Sequence, residues 1–158
     1  RVGLIYFPDQ QKALRGMHGH LKEGGQAAAM VYSTAEKNAF FSVPVSIIRR
    51  RAQLPPPLLG QPGPFSLGAD GVLEKAFADA GFREIEVRRI DAPARVASAS
   101  ECLRFEQESF GALHQMLAGL SDAEKDEAWA EIGTSLGQFE AGGRFEGPCE
   151  MLLAVGSK

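Results

Sequence analysis

The sequence contains little cysteine and no strong excess of charge of either sign. Its two cysteines, Cys102 and Cys149, lie far apart and have no neighbours at metal-ligand spacing, so we expect reduced structural thiols. A net charge of -3, from 17 Lys and Arg against 20 Asp and Glu, gives no electrostatic reason to expect nucleic acid or an anionic membrane as a partner. No transmembrane run or signal peptide is recognisable, and we expect a cytoplasmic protein.

The sequence also lacks a glycine-rich turn leading from a strand into a helix. Nucleotide-binding α/β folds need that turn so that backbone amides can approach the ligand, and they need an acidic residue further on for the ribose hydroxyls. Gly24 and Gly25 do not replace it, because they follow a predicted helix and precede a predicted strand. The 158 residues therefore do not contain a complete nucleotide site of this kind.

Metal-binding and nucleophilic patterns are absent too. His18 and His20 are two positions apart, so on a helix they point in different directions, and no third ligand is near. His114 follows Leu113 in an apolar helical stripe, where a structural histidine is the favoured interpretation. We therefore predict no metal site, and no catalytic residue can be named from spacing.

The clearest pattern present is a helix followed by a glycine turn and an apolar strand. Apolar positions recur at helical spacing before Leu21, and Asp9 is placed to cap the helix. Gly24 and Gly25 permit a left-handed cap and a sharp turn. Residues 26–32 are apolar on both faces, which predicts a strand buried on both sides, as in a parallel α/β sheet.

Elements are also predicted on both sides of this joint. Residues 2–7 are compatible with a short buried strand or with a loop containing a turn. After the joint we predict a helix over residues 40–51 with Pro44 in its first turn, and a proline-rich loop over 54–64. A helix over 70–80, stopped by Gly81, and a half-exposed edge strand over 82–88 follow.

The last third of the chain is predicted to be helical until a final strand. Two capping boxes, Ser98 with Glu101 and Ser121 with Glu124, each precede an apolar stripe, which predicts an antiparallel helix pair over residues 98–139. Glycines at 142 and 143 end the pair. Residues 149–155 are apolar and predict a last strand.

Three of these segments resemble the second half of class I S-adenosylmethionine-dependent methyltransferases, and the quinone-biosynthesis-like (type 11) branch is most similar. They are residues 1–9 (RVGLIYFPD), the joint LKEGG at 21–25, and AEKNAFF at 35–41. Glu23 replaces the proline of the family's usual Leu-Lys-Pro-Gly-Gly, and Ala39 replaces that of Asn-Pro-Phe-Phe. An Ala-Gly-Phe turn at 80–82 is similar to the family's turn into its sixth strand.

The resemblance implies a single α/β domain over residues 1–158. Its sheet would be the C-terminal part of a Rossmann-like methyltransferase sheet, with the last strand antiparallel between the fifth and sixth. A lid and proline-rich loop at 40–65 and the helices at 98–140 would form a helical cap.

The resemblance also implies a function and a site. The chain would belong to a methyltransferase that uses S-adenosylmethionine on a small hydrophobic acceptor. Cofactor contacts would come from Arg1, Gly3 and Phe7. The acceptor pocket would be lined by residues that follow the fifth strand: Tyr32, Asn38, Phe40 and Phe41. For the two phenylalanines, packing beneath the cap is an equal alternative.

The chain begins about where the family's fourth strand would end, so we expect the cofactor-binding first half to be missing and the chain alone to be inactive. We expect a homodimer, or a complex with the missing half, through the uncovered edge of residues 26–32. The alternative function is a non-catalytic binding module that uses the helices at 98–140.

Overall fold

A computed structural model describes residues 2–56 and 61–158, which form two compact units. The first unit contains the described residues of 1–37 and 57–92 together with 150–158, and the second contains 38–56 and 93–149. Part of the predicted proline-rich loop, residues 57–60, lies outside the described residues. No helix of the described residues is long and apolar enough to cross a membrane.

Six α-helices and six strands are formed in the described chain. The helices are α1 Gln10–His20, α2 Ala39–Arg51, α3 Val72–Asp79, α4 Ala99–Ser109, α5 Gly111–Leu117 and α6 Asp122–Leu136. The strands are β1 Gln26–Tyr32, β2 Arg83–Asp91, β3 Ala94–Val96, β4 Glu140–Ala141, β5 Arg144–Gly147 and β6 Glu150–Ser157. Short 3-10 helices span Val2–Tyr6, Ala35–Lys37 and Gly137–Phe139.

The sheet of the first unit has the order β1-β6-β2, and β6 is antiparallel to both neighbours. The last strand of the chain therefore lies between the two earlier strands, as the family resemblance implies. Since β1 and β2 are both antiparallel to β6, they run in the same direction without pairing. Every strand pair in the described residues is antiparallel, so the parallel pairing of the predicted sheet is not observed there.

The helix before the joint forms as predicted, but its end differs. The Asp9 carboxylate accepts a hydrogen bond from the Lys12 amide at 2.7 Å and caps the first turn of α1. The helix stops at His20, so the predicted left-handed glycine cap is wrong. Gly24 has a φ of +73° in a separate turn, which lies between the helix and β1.

β1 is an edge strand, and one of its faces is covered. Ala29 and Val31 are buried, whereas Ala28 is exposed. The prediction of a strand buried on both faces is therefore wrong for this unit, because apolar composition does not reveal which face finds a neighbour. The core beneath it contains Leu4, Ile5, Leu14, Ala29, Val31, Leu67, Leu73, Phe77, Ala80, Phe82, Leu152 and Ala154.

The flanking elements of this unit correct one prediction and confirm two. Residues 2–6 form a 3-10 helix that buries the adjacent Leu4 and Ile5, so the strand alternative is wrong and the turn-containing loop is nearer the structure. The predicted helix at 70–80 is α3, and Gly81 stops it with a φ of +98°. The predicted edge strand is β2, on the opposite edge of the sheet from β1.

The second unit contains three helices where a helix pair was predicted. α4 ends before Phe110 and α5 begins at Gly111. The sequence does not reveal this break, because the apolar stripe continues across it. Pro44 is the sixth residue of α2 and not in its first turn, which corrects that prediction. Ser121 and Glu124 form a complete capping box.

A second sheet, with the order β3-β5-β4, was not predicted. Its strands are two to four residues long, too short for an alternating pattern to be recognised. Gly142 and Gly143 do end the helical region as predicted, and with φ of +60° and +72° they form the tight turn of the β4–β5 hairpin.

Candidate functional site

The residues predicted to contact a cofactor lie at the start of the first unit. Arg1 is outside the described residues. Gly3 is exposed in the 3-10 helix, and a Cβ added to it would meet no atom within 4 Å. Phe7 is 47% exposed and its neighbour Tyr6 is 63% exposed. These residues therefore present an open, partly aromatic surface.

The residues predicted to line an acceptor pocket are divided between the units. Tyr32, at the end of β1, belongs to the first unit, where its ring lies 6.2 Å from that of Phe65. Asn38, Phe40 and Phe41 belong to the second unit and are buried. Phe40 and Phe41 are therefore packed in the interior of the second unit, which is the environment that the packing alternative describes.

Four phenylalanines form an aromatic cluster in the second unit: Phe40, Phe41, Phe105 and Phe110. The rings of Phe41 and Phe110 have centroids 4.6 Å apart, and Phe105 meets Phe110 edge to face at 5.6 Å. Ring pairs at these separations gain energy beyond the burial of their area. The cluster joins the start of α2 to the α4–α5 junction.

Glu106 is the residue that sequence reasoning missed. It lies on α4 with none of its surface exposed, and neither carboxylate oxygen has a hydrogen-bond partner in the described structure. Burial raises its pKa to about 8. The sequence contains only a weak hint of its burial, the four-residue spacing of Glu106 from Cys102 and Phe110, because Gln107 and Glu108, which follow it, are polar.

Cys102 lies one turn before Glu106 and is also buried. Burial, and next the neighbouring charge of Glu106, raise the pKa of its thiol to about 12. A thiol with such a pKa is protonated near neutrality and is a poor nucleophile. This agrees with the expectation of structural, reduced cysteines.

A separate shallow depression lies on the first unit, between the start of α3 and the sheet. Arg89 lines it and donates to carboxylate oxygens of Asp70 at 2.5 Å and Glu150 at 3.3 Å. None of the predicted site residues that the structure describes lines it. With its one cation paired to two exposed or half-buried carboxylates, the depression has the composition of an ordinary polar surface.

The described residues do not complete an S-adenosylmethionine site. Gly3 and Phe7 are exposed, and their contact with the cofactor stays a prediction. However, β1 leads into Ser33 and Thr34, not into a glycine-rich turn before a helix, and no acidic residue follows at the expected ribose position. In the described parts of the chain, no group of three or more potential ligands could hold a metal ion.

Similarity to known proteins is confined to solved structures. No protein-family model matches the chain, and no curated protein sequence matches it. Phosphoethanolamine N-methyltransferase 2 of Haemonchus contortus, bound to phosphomonomethylethanolamine and S-adenosylhomocysteine, is similar with a TM-score of 0.45 and 17% identity. The whole chain is aligned, but it spans only 32% of that protein. A Bacillus halodurans protein described as a methyltransferase is similar with a TM-score of 0.48 and 16% identity, over 67% of its length.

Proposed function

We propose that this chain is the C-terminal part of an S-adenosylmethionine-dependent methyltransferase that acts on a small hydrophobic acceptor. The observation that supports this most directly is the strand order β1-β6-β2, with the last strand antiparallel between the other two. That is the arrangement that the family resemblance implies, in which the last strand lies between the fifth and sixth. The order depends on residues distant in sequence, so it supports the resemblance independently of the LKEGG joint.

In the proposed reaction the residues of this chain bind and position the reactants. The cofactor, when bound, supplies a methyl group on a sulfonium for in-line displacement. Enzymes catalyse such steps mainly by orienting the reactants and excluding water. In our proposal the aromatic cluster binds the acceptor, and the surface at Gly3 and Phe7 borders the cofactor. The remaining cofactor contacts belong to residues outside this chain.

This proposal predicts that the 158-residue chain alone does not bind S-adenosylmethionine. It contains no strand-to-helix glycine turn to hold the nucleoside, so titration calorimetry should detect no saturable binding at micromolar concentrations. The matched sample is a longer protein in which this chain follows the sequence that precedes Arg1 in its gene. That protein should bind the cofactor and transfer its labelled methyl group to a hydrophobic acceptor.

The two samples separate the ways in which this proposal can fail. Saturable binding by the 158-residue chain would mean that the cofactor site lies within these residues. No binding by either sample would contradict a methyltransferase. The second outcome would favour the alternative module built on the helices at 98–140, for which the 48% exposed Phe105 on α4 offers an apolar contact.

We further propose that β1, an outer strand of the described sheet, pairs with another chain, either the missing half or a second copy. Within the described residues β1 lies at an edge of its sheet, and none of its seven residues is charged. Uncharged edge strands readily pair with other strands. We expect the isolated chain to be a dimer by light scattering at micromolar concentrations.

A charge placed on this edge tests the proposal. Ala28 is exposed on β1, so Ala28→Lys should shift the chain toward a monomer without disturbing the core. Ala78→Lys makes the same exchange at an exposed position of α3 and should leave the dimer intact. A wild-type monomer, or equal effects of the two variants, would contradict pairing through β1.

A further inference from the structure

We propose that Glu106 is a specificity-determining residue of the acceptor site, where its carboxyl group hydrogen-bonds to an O–H or N–H donor on an otherwise hydrophobic, uncharged ligand. The inference rests on the proposed function, because it takes the aromatic cluster as the acceptor site. It adds a polar requirement to an acceptor that the proposed function describes only as small and hydrophobic. It also assigns that requirement to one side chain.

The first observation is that the burial of Glu106 is not compensated within the chain. None of its surface is exposed, and both carboxyl oxygens lack a partner in the described structure. α4 packs against α5, α6 and β3. The buried residues of α5 and α6 are all apolar: Leu113, Leu117, Ala128, Trp129, Ile132 and Leu136.

An apolar side chain at this position would avoid a considerable cost. A buried polar group without a partner destabilises the folded state, because it loses its hydrogen bonds to water and gains none in the protein. On β3, Arg95 is engaged with Glu146, and Cys102 on α4 is the ionisable group whose pKa responds to Glu106. A ligand that brings a donor to Glu106 would recover the lost hydrogen bond, which makes the carboxyl useful for recognition.

The second observation is the position of Glu106 relative to the aromatic cluster. The Phe110 amide donates to the Glu106 backbone carbonyl at 3.2 Å, so the two residues are one helical turn apart. The Phe110 ring in turn packs against Phe41 at 4.6 Å. A ligand that contacts the Phe110 ring would therefore lie within about one helical turn of Glu106.

The state of the carboxyl group selects the chemistry of the ligand. A pKa of about 8 leaves Glu106 mostly protonated at neutral pH. A protonated carboxyl group has no net charge with which to favour a cation; it donates through its O–H and accepts through its carbonyl oxygen, and the proposed ligand uses the carbonyl oxygen. The expected ligand is thus neutral, with one donor on an aromatic or aliphatic body.

Indole and indene provide a matched pair of probes, because they share a shape and differ in the indole N–H. We expect the 158-residue chain, at about pH 6, to bind indole roughly tenfold more tightly than indene, the effect of one recovered hydrogen bond. Glu106→Leu should bring the affinity ratio to about one while both probes still bind. Glu106→Gln keeps a carbonyl acceptor and should retain most of the preference.

The control is Glu108→Leu, an exposed position on the same helix, which should keep the wild-type ratio. Equal affinities in the wild-type chain, no binding of either probe, or a preference that survives in Glu106→Leu would each overturn the proposal. A purely structural role of Glu106 would change stability without changing the ratio. No cofactor is used, so this result is independent of the cofactor-binding test.

Discussion

Raising the pH from about 5 to about 8.5 is expected to lower the free energy of unfolding of the second unit by about 4 kcal/mol through Glu106 alone. Its carboxyl group has a pKa of about 8 in the folded protein, against an ordinary value of 4.5. The folded state therefore holds the proton more tightly than the unfolded state. The associated stability is fully present below about pH 4.5 and is lost as the pH rises through 8.

Few other perturbed groups interfere in this window. The pKa values of Glu86, Glu131 and Glu146 are lowered, mainly by hydrogen bonds from arginines, so these carboxylates are already ionised at pH 5. The Cys102 thiol, with a pKa raised to about 12, titrates above the window. The pH dependence of stability expected from Glu106 is therefore separate from the titration of these carboxylates and of the Cys102 thiol.

Urea unfolding followed by fluorescence measures the effect in the correct unit, because Trp129 is the single tryptophan and lies in α6. Glu106→Gln removes the ionisation and should make the stability nearly independent of pH from about 5 to 8.5. Glu108→Gln removes an exposed carboxylate of the same helix and should follow the wild-type curve. A Glu106→Gln curve as steep as that of the wild type would show that another group causes the pH dependence.

The elements predicted correctly are those whose own residues contain a periodic signal. α1 has its Asp9 cap, α3 has apolar positions at 73 and 77, and β6 contains the continuous apolar run of residues 151–155. In each case the local pattern and the tertiary surroundings favour the same structure. The order of the strands came from the family resemblance, since no local pattern specifies which strands become neighbours.

The elements missed are those that depend on partners distant in sequence. β3 and β4 have three and two residues, and they exist because β5 pairs with both. The break at Phe110 interrupts an apolar stripe that continues on either side. Glu106 looks like an ordinary exposed residue among Glu101, Gln107 and Glu108, and its burial is a property of the packed helices.

The exposure of the predicted site residues also depends on partners distant in sequence. The family resemblance selects Tyr32, Phe40 and Phe41 by their place after its fifth strand, which does not determine whether they are exposed. The structure gives Phe40 and Phe41 5% and 2% exposure. Their role in binding an acceptor stays a prediction, which the probes of the Glu106 site test directly.

Gly68 is another residue whose importance the sequence hides, since it stands in a segment, PFSLGADG, that has the composition of an ordinary loop. In the structure it lies against the backbone that follows β1. A Cβ added to Gly68 would lie 2.1 Å from the Ser33 carbonyl oxygen and 2.8 Å from that of Tyr32. These are backbone atoms, so a rotamer change cannot relieve the clash.

We therefore expect Gly68→Ala to destabilise the first unit by about 3 kcal/mol, the upper part of the usual range for overpacking. The Ser33 amide donates to the Glu150 carbonyl at 3.0 Å, at the start of β6, so a displaced Ser33 would disturb the pairing of β1 with β6. Hydrogen exchange of the β1 amides measures this locally, and their protection should fall.

Gly63→Ala is the matched control, because it makes the same exchange in the same loop region. A Cβ at Gly63 would meet no atom within 4 Å, and its φ is not in the left-handed region. We expect this variant to stay within about 0.5 kcal/mol of the wild type, as for most surface substitutions. If the β1 amides exchange as slowly in Gly68→Ala as in Gly63→Ala, then the close approach of Gly68 to Ser33 does not hold the end of β1. The position of Tyr32 must then be fixed by other contacts.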